Sequence, residues 1–336
     1  MRTARLSVRG IEDLQLATGA DREFRPVQLS PRAINGELAV VAASDVTFTY
    51  GRWCSDIHVS GTWSNSKATI GILLAAEGIN LFGESARPGD ITVAGRGREI
   101  DARYRGKLEY VAVSVDASTL LATAEGCGWT IDEGTLDGCH LLRLDETQAA
   151  RLVQRMRSVA VGLRAGALTV GGPDGKHALC GDLLLEFARA LSQTRARRGE
   201  RTQSRHAQAK LVPRTKEWLA RDACGPKGVQ QIAQHFGVSS RHLYRAFRAE
   251  VGVPPARYLK RHRMTQARFD LLDADPAETS VTDVALSWGF WELGRFAVEY
   301  RRLFGEMPSQ TLRASVRKHA GGAADLAGLW GRRPRR

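Results

Sequence analysis

The sequence contains no apolar run of the about 18 residues that a bilayer span requires, and no charged-then-apolar leader at its start, so the chain is expected to stay in the cytoplasm, away from any membrane. Cysteine is scarce. Cys54, Cys127, Cys139, Cys180 and Cys224 are an odd, widely spaced set without a CxxC pair, which argues against a disulfide framework and for reduced thiols that pack as small hydrophobes. Histidine is thin where the chain is strand-rich: His58 stands alone between Gly36 and Asp116, too little for a catalytic zinc site with its three protein ligands, and neither metal nor cofactor is expected. Acidic residues are in deficit, with 36 Asp and Glu against 49 Lys and Arg, a formal charge of +13. That balance implies a polyanionic partner, nucleic acid or an acidic membrane face, and charge alone does not choose between them.

What is present falls into two blocks, as expected for 336 residues. From Gly36 to Asp116 short segments rich in β-branched residues alternate with Gly-containing turns, among them Leu38–Val41, Val46–Tyr50, Ile57–Val59, Ala68–Leu74, Asp90–Val93 and Tyr110–Val115. This is the pattern of a β-sandwich or barrel. After Asp145 the period changes. Leu152, Met156, Val159 and Leu163 share one helical stripe, and Leu183, Phe187 and Leu191 repeat the spacing on a second segment. Such stripes belong to a core, or to a face that pairs with a second copy of the chain. Residues 192–210 are almost devoid of apolar side chains and read as a linker between a domain at 1–191 and a helical domain at 211–318. Residues 319–336 loosen into a basic tail that ends in Arg332-Arg-Pro-Arg-Arg336.

The most informative feature is an internal near-repeat. Ile232-Ala-Gln-His-Phe-Gly-Val-Ser-Ser-Arg-His-Leu-Tyr-Arg-Ala-Phe-Arg248, closing with Val251-Gly-Val-Pro-Pro255, matches Val284-Ala-Leu-Ser-Trp-Gly-Phe-Trp-Glu-Leu-Gly-Arg-Phe-Ala-Val-Glu-Tyr-Arg301, closing with Phe304-Gly-Glu-Met-Pro308. Two helices that cross steeply through a short turn need a small residue where they touch and a residue tolerant of positive φ where the chain reverses. Ala233 and Ala285 supply the first, Gly237 and Gly289 the second. Ser239 and Ser240 offer an N-cap, so a helix is expected from Arg241 with Leu243 and Phe247 turned inward. Arg241, His242, Tyr244, Arg245 and Arg248 then occupy its other faces, a set of donors suited to base edges in a DNA major groove or, alternatively, a solvated basic face. Two copies joined by the basic segment Arg257–Leu272 favour double-stranded DNA.

Over its last third the chain resembles the AraC/XylS family of bacterial transcription regulators. The resemblance rests on the first unit, on Arg263-Met-Thr-Gln-Ala-Arg268 and Leu271-Leu272, on Val281–Ala285 with Gly289-Phe290, and on Phe296, Tyr300–Gly305 and Pro308-Ser309. It implies seven helices, with the second helix of each unit entering successive major-groove segments about 34 Å apart. It also implies base or groove contacts from Ser240, Arg241, His242, Tyr244 and Arg245 in the first unit and from Glu292, Leu293 and Arg295 in the second. The second unit departs from the pattern: Trp291, Leu293, Gly294 and Val298 offer few hydrogen bonds to bases, so thymine methyls or phosphates are its expected contacts and the first unit carries more specificity. Lys260, His262, Arg301 and Arg302 are expected at phosphates or in solvent.

Strands followed by two helices ahead of such a unit resemble that family's cupin-like domains, with Arg87-Pro-Gly-Asp-Ile-Thr-Val93 like the turn into a barrel strand. The expected architecture is thus α+β: an N-terminal cupin-like β-barrel or jelly roll with two amphipathic helices, then an all-α domain with two helix-turn-helix units. The resemblance implies a small-molecule effector in the barrel, a homodimer formed through the helices, RNA polymerase as a partner and activation rather than repression. Trp53, His58 and Trp63 are candidates to line an effector pocket, or are ordinary barrel residues. Two other readings compete. An architectural DNA-binding protein would use the same basic charge without an effector. A DNA-alkylation methyl acceptor would need an activated cysteine, for which Cys139-His140 is the sole adjacency, without the Pro-Cys-His-Arg context.

Overall fold

The computed structural model describes residues 2–16, 24–31, 34–43, 46–64, 66–165, 172–194, 211–221 and 228–321. The chain divides into two compact units, one centred on Ile34–Arg198 and preceded by Met1–Arg25, the other comprising Pro26–Ala33 with Gly199–Ala324. Most of the expected linker and nearly all of the expected tail lie outside the described residues.

The strands are β1 (Arg2–Val8), β2 (Phe24–Gln28), β3 (Asn35–Ala43), β4 (Val46–Thr62), β5 (Ala68–Ala76), β6 (Ile79–Leu81), β7 (Glu84–Ser85), β8 (Ile91–Ala94), β9 (Glu99–Val115) and β10 (Cys139–Leu142). Helix α1 (Ile11–Leu16) follows β1, α2 (Ala117–Glu125) and α3 (Glu133–Leu136) precede β10, and α4 (Glu146–Ala165) and α5 (Gly172–Ser192) complete the region. The sheet order is β1-β3-β4-β9-β5-β8-β10, with β6 paired to both β7 and β9, and these pairings are antiparallel.

Register assigns each side chain to a face. Across the sheet Val41 lies opposite Phe48, Phe48 opposite Val113, Val113 opposite Ile70 and Ile70 opposite Val93. These residues form one face, buried against Leu120 of α2, Leu152, Met156 and Leu163 of α4, and Leu183, Phe187 and Leu191 of α5. Both helical stripes read from the sequence are therefore turned into the sheet, because an antiparallel sheet with one apolar face must cover it. The opposite parity, Thr49, Trp53, Thr69, Gly71, Tyr110 and Ser114, turns the other way and lines an internal cavity. This is the expected α+β arrangement, an antiparallel sheet with two amphipathic helices.

The second unit holds seven helices among the described residues: α6 (Leu211–Arg221), α7 (Val229–His235), α8 (Ser240–Glu250), α9 (Pro255–Asp273), α10 (Val281–Ser287), α11 (Leu293–Phe304) and α12 (Pro308–Gly321). Two cores form. Leu211, Val212, Ile232, Leu243, Phe247 and Val251 make the first, joined by Tyr258 and Leu259 from the start of α9. Val284, Ala285, Phe296, Tyr300 and Leu303 make the second, joined by Met264, Ala267 and Leu271 from the rest of α9. Pro255 at the first position of α9 suits a helix start, where a missing N–H costs nothing.

Residues 26–31, far from the helices in sequence, belong with the C-terminal unit. Val27 and Leu29 are buried in the first helical core. Between them the Gln28 backbone N–H donates to Thr265 Oγ1 at 3.4 Å, and its Nε2 donates to the Leu303 carbonyl at 2.9 Å. One short segment thus contributes to the first core while bonding α9 and α11.

The second core carries a polar anchor. Arg268 Nη1 donates to Glu306 Oε1 at 2.6 Å and to Thr311 Oγ1 at 3.3 Å, while the Tyr300 hydroxyl donates to Thr311 at 2.9 Å. Burial pushes the Tyr300 phenol up to about 12, so it is neutral and a donor throughout the physiological range. Replacing Arg268 by Ala leaves the Glu306 carboxylate, itself about a third exposed, without its cation; a loss of about 2 kcal/mol is expected, below the figure for a fully buried pair. Urea unfolding of the Arg268→Ala chain, followed by helical circular dichroism, checks this: an unchanged midpoint would show that the cluster adds nothing to stability.

Candidate nucleic-acid interface

The two helix-turn-helix units are built alike at the level of single backbone groups. Helix α7 ends at Phe236 with φ −93° and ψ 2°, and α10 ends at Trp288 with φ −91° and ψ 10°. Gly237 and Gly289 follow with φ +63° and +72°. The next amides then fold back, Val238 N–H onto the Ala233 carbonyl and Phe290 N–H onto the Ala285 carbonyl, both at 2.9 Å. A left-handed residue just past each helix end satisfies carbonyls that would otherwise be orphaned, and glycine takes that conformation without Cβ strain. Gly252 and Gly305, with φ +76° and +83°, close the two units in the same way.

The first recognition helix starts one residue earlier than expected. Ser239 is the N-cap, its hydroxyl accepting from the His242 N–H at 3.1 Å, and α8 begins at Ser240. Leu243 and Phe247 are fully buried, as their spacing requires. Ser240, Arg241, Tyr244, Arg245 and Arg248 are exposed and His242 is half-buried. The predicted side chains of the first unit therefore share one helix, with their donors directed away from the core.

The second unit presents a different surface. Helix α10 opens with a capping box in which the Ser280 N–H donates to Asp283 at 3.0 Å and the Asp283 N–H donates to Ser280 Oγ at 3.2 Å. The Ser280 hydroxyl and N–H hold the Asp283 carboxyl below its ordinary value. At the start of α11, Glu292, Leu293, Gly294 and Arg295 are all exposed. Arg295 is already engaged by carboxylates, lying 3.7 Å from Glu292 and 3.3 Å from Glu299. Glu299 also pairs with Lys260 of α9. Burial pushes the Glu299 carboxyl up, but Lys260 and Arg295 outweigh it and hold the group below the usual carboxylate range. Around this chain of charges the surface is apolar, with Trp291 exposed to 74% and Val298 to 67%.

The four side chains expected at phosphates or in solvent divide. Arg301 and Arg302 are exposed, Lys260 is held by Glu299, and His262 packs between the Tyr258 and Trp288 rings at centroid distances of 6.4 and 6.5 Å. Trp288 in turn donates its indole N–H to Asp270 at 2.6 Å, tying α10 to α9.

In the first unit of the chain, Trp53 and Trp63 both line the cavity of the sheet, and His58 does not. In an unbroken strand, residues five apart face opposite ways, so β4 cannot direct Trp53 and His58 to one side. His58 Nε2 instead lies 3.0 Å from Asp101 on the other face. Tyr104 and Tyr110, which the sequence reading did not select, complete the aromatic wall, with the Trp53 ring edge-on to them at 6.4 and 5.4 Å. Strict alternation of apolar and charged residues from Glu99 to Leu108 was the available signal. Cys139 donates its thiol to the Glu99 carbonyl at 3.3 Å, and on strand β10 its neighbour His140 projects to the opposite face, so their adjacency forms no cysteine–histidine pair. Among the described residues no group of three or more His, Cys, Asp or Glu is placed to hold a metal, and no helix is long and apolar enough to cross a membrane.

Seven helices arranged as two capped helix-turn-helix units on one connecting helix define a DNA-binding domain of transcription regulators. Residues 232–314 match the family model described as a helix-turn-helix domain. The chain is 47% identical over 97 residues to the "Probable thc operon regulatory protein" of Rhodococcus erythropolis, a match covering 29% of each chain. It is 39% identical over 85 residues to the "XylDLEGF operon transcriptional activator" of Pseudomonas putida, covering 25% of this chain and 26% of that protein. The match thus spans less than a third of the length of these curated relatives. A crystal structure of a "probable AraC family transcriptional regulator" from Rhodopseudomonas palustris is 37% identical, covers 32% of this chain and 97% of its own, and superposes with a TM-score of 0.29. Over its C-terminal third the chain thus carries a helix-turn-helix domain similar to that of the AraC/XylS transcription regulators.

The turn geometry gives a test. A methyl group on Gly237 would meet nothing within 4 Å, so Gly237→Ala isolates the backbone cost of its positive φ, about 1 kcal/mol. A fall in the thermal midpoint is expected; none would mean that the turn is free to relax.

Proposed function

We propose that this protein is a cytoplasmic, sequence-specific DNA-binding transcription regulator, acting as an activator with RNA polymerase as its partner, whose N-terminal domain binds a small effector and pairs two copies of the chain. The observation that carries the DNA-reading role is the exposed donor face of α8, on which Arg241, Tyr244 and Arg245 stand clear of a core that fixes the helix through Leu243 and Phe247. Arginine at such a position forks onto guanine O6 and N7. A connecting helix of 19 residues, about 28 Å long, suits two recognition helices set roughly one DNA turn of 34 Å apart.

The two units divide the work unequally in this reading. Helix α8 reads bases with Ser240, Arg241, His242, Tyr244 and Arg245. Helix α11 offers Leu293 and the neighbouring Trp291 to thymine methyls, while Glu292 and the carboxylate-held Arg295 contribute less direct readout. The effector role is supported by an internal cavity walled by Trp53 and Trp63.

Selection of bound duplexes from a random library, at physiological salt, should return two boxes about one helical turn apart. Against the selected site, Arg241→Ala and Arg245→Ala should each reduce discrimination by about 1–3 kcal/mol at one base pair, and Arg295→Ala by less. Uniform weakening on every duplex by the α8 variants would overturn the assignment of the reading helix, and equal affinity of the parent chain for unrelated duplexes would favour an architectural protein.

A further inference from the structure

The cavity inside the sheet carries more information than its position. Among its lining residues none bears a charge. The polar groups there largely satisfy one another: Thr69 and Ser114 hydroxyls share a hydrogen bond at 3.0 Å, and Thr92 donates to the Gly71 carbonyl at 3.3 Å. Burial raises the Tyr104 phenol, with a further upward push from Tyr110, so that wall stays neutral as well.

One donor stands apart. Trp53 is only 8% exposed, and its Nε1–H has no acceptor among the described residues. Buried donors are nearly always paired, and one that is not requires an explanation. The ring itself is held firmly, edge-on to Tyr104 and Tyr110, and Gly51 makes room for it: a Cβ there would come within 2.4 Å of the Tyr110 ring and 2.8 Å of the indole. The chain thus keeps a rigid indole against the cavity without giving its N–H a partner among the described residues.

We propose that the ligand supplies that partner: the cavity takes an uncharged, largely apolar molecule of about one ring in size that bears a single hydrogen-bond acceptor, and Trp53 Nε1–H donates to it. This rests on the effector reading above and gives it a chemical class. A cavity of about 80 Å³ holds roughly two to three waters' worth of space, so its occupant is no larger than one small ring. A carboxylate or ammonium would leave water for walls with no counter-charge, a cost that a single indole donor cannot offset. A molecule without an acceptor would leave the indole unpaired and forgo the worth of that one hydrogen bond.

Cyclopentane, tetrahydrofuran and pyrrolidine are near in size and differ in these properties, pyrrolidine being an ammonium at neutral pH. Their dissociation constants for the full-length protein, measured by ligand-observed NMR at neutral pH, are expected to place tetrahydrofuran about tenfold tighter than cyclopentane, the worth of one hydrogen bond, with pyrrolidine not detectable. Trp53→Phe keeps a ring in the wall and should abolish the preference for tetrahydrofuran while cyclopentane still binds. The wild-type comparison stands even if that variant does not fold. Equal binding of cyclopentane and tetrahydrofuran would overturn the role of Trp53 and leave the effector cavity intact. Pyrrolidine binding as well as tetrahydrofuran would overturn the neutral class, and no binding of any probe at millimolar concentration would overturn the cavity reading and the proposal together.

Discussion

Helix α9 belongs to two hydrophobic cores at once, and the geometry of the DNA-binding unit depends on that. Tyr258 and Leu259 near its start are buried with α7 and α8, while Met264, Ala267 and Leu271 further along are buried with α10 and α11. A helix is stiff over such a length, so burying its two ends in separate cores fixes the separation and twist between them. The polar contacts reinforce the same point from the side: Asp270 accepts from Trp288, and Arg268 reaches Glu306, Tyr300 and Thr311. Two weakly coupled units would each bind DNA alone, whereas a shared helix makes the second contact intramolecular.

The units repeat in backbone and diverge in surface. Paired alanines, glycines and aromatic helix ends give the same turn twice, down to matching 2.9 Å hydrogen bonds. On the recognition helices the likeness ends: α8 offers exposed donors at its face, whereas α11 surrounds an internally paired arginine with apolar side chains. Residues that shape a turn are constrained by geometry, and residues on the exposed face are constrained by what they touch.

This difference also explains what the sequence could tell. The turn glycines, the inward Leu243 and Phe247, and the buried stripes of α4 and α5 follow from local spacing, and all were legible. On the sheet the reading was partial. Val46–Tyr50 and Ile57–Val59 looked like separate strands, yet both lie on the single strand β4, and only its continuity fixes the parity that separates His58 from Trp53. The alternation of apolar and charged residues over Glu99–Leu108 marks the first half of β9, and with it Tyr104, but this signal went unread beside the β-branched segment Tyr110–Val115. The place of Gln28 beside Thr265 was beyond reach, since a partner 237 residues away leaves no periodic trace.

The position of residues 26–31 bears on how the molecule is made. A ribosome emits Val27 and Leu29 long before Leu211, Ile232 or Phe247, the residues with which they share a core. Synthesis proceeds from the N-terminus, and domains generally fold as units in that order. Here the last unit to be synthesised cannot complete its packing from its own stretch of chain; it must recover a strip emitted near the beginning. Chain order and core membership therefore do not coincide, and a fragment cut at the linker would be missing a piece of its own interior.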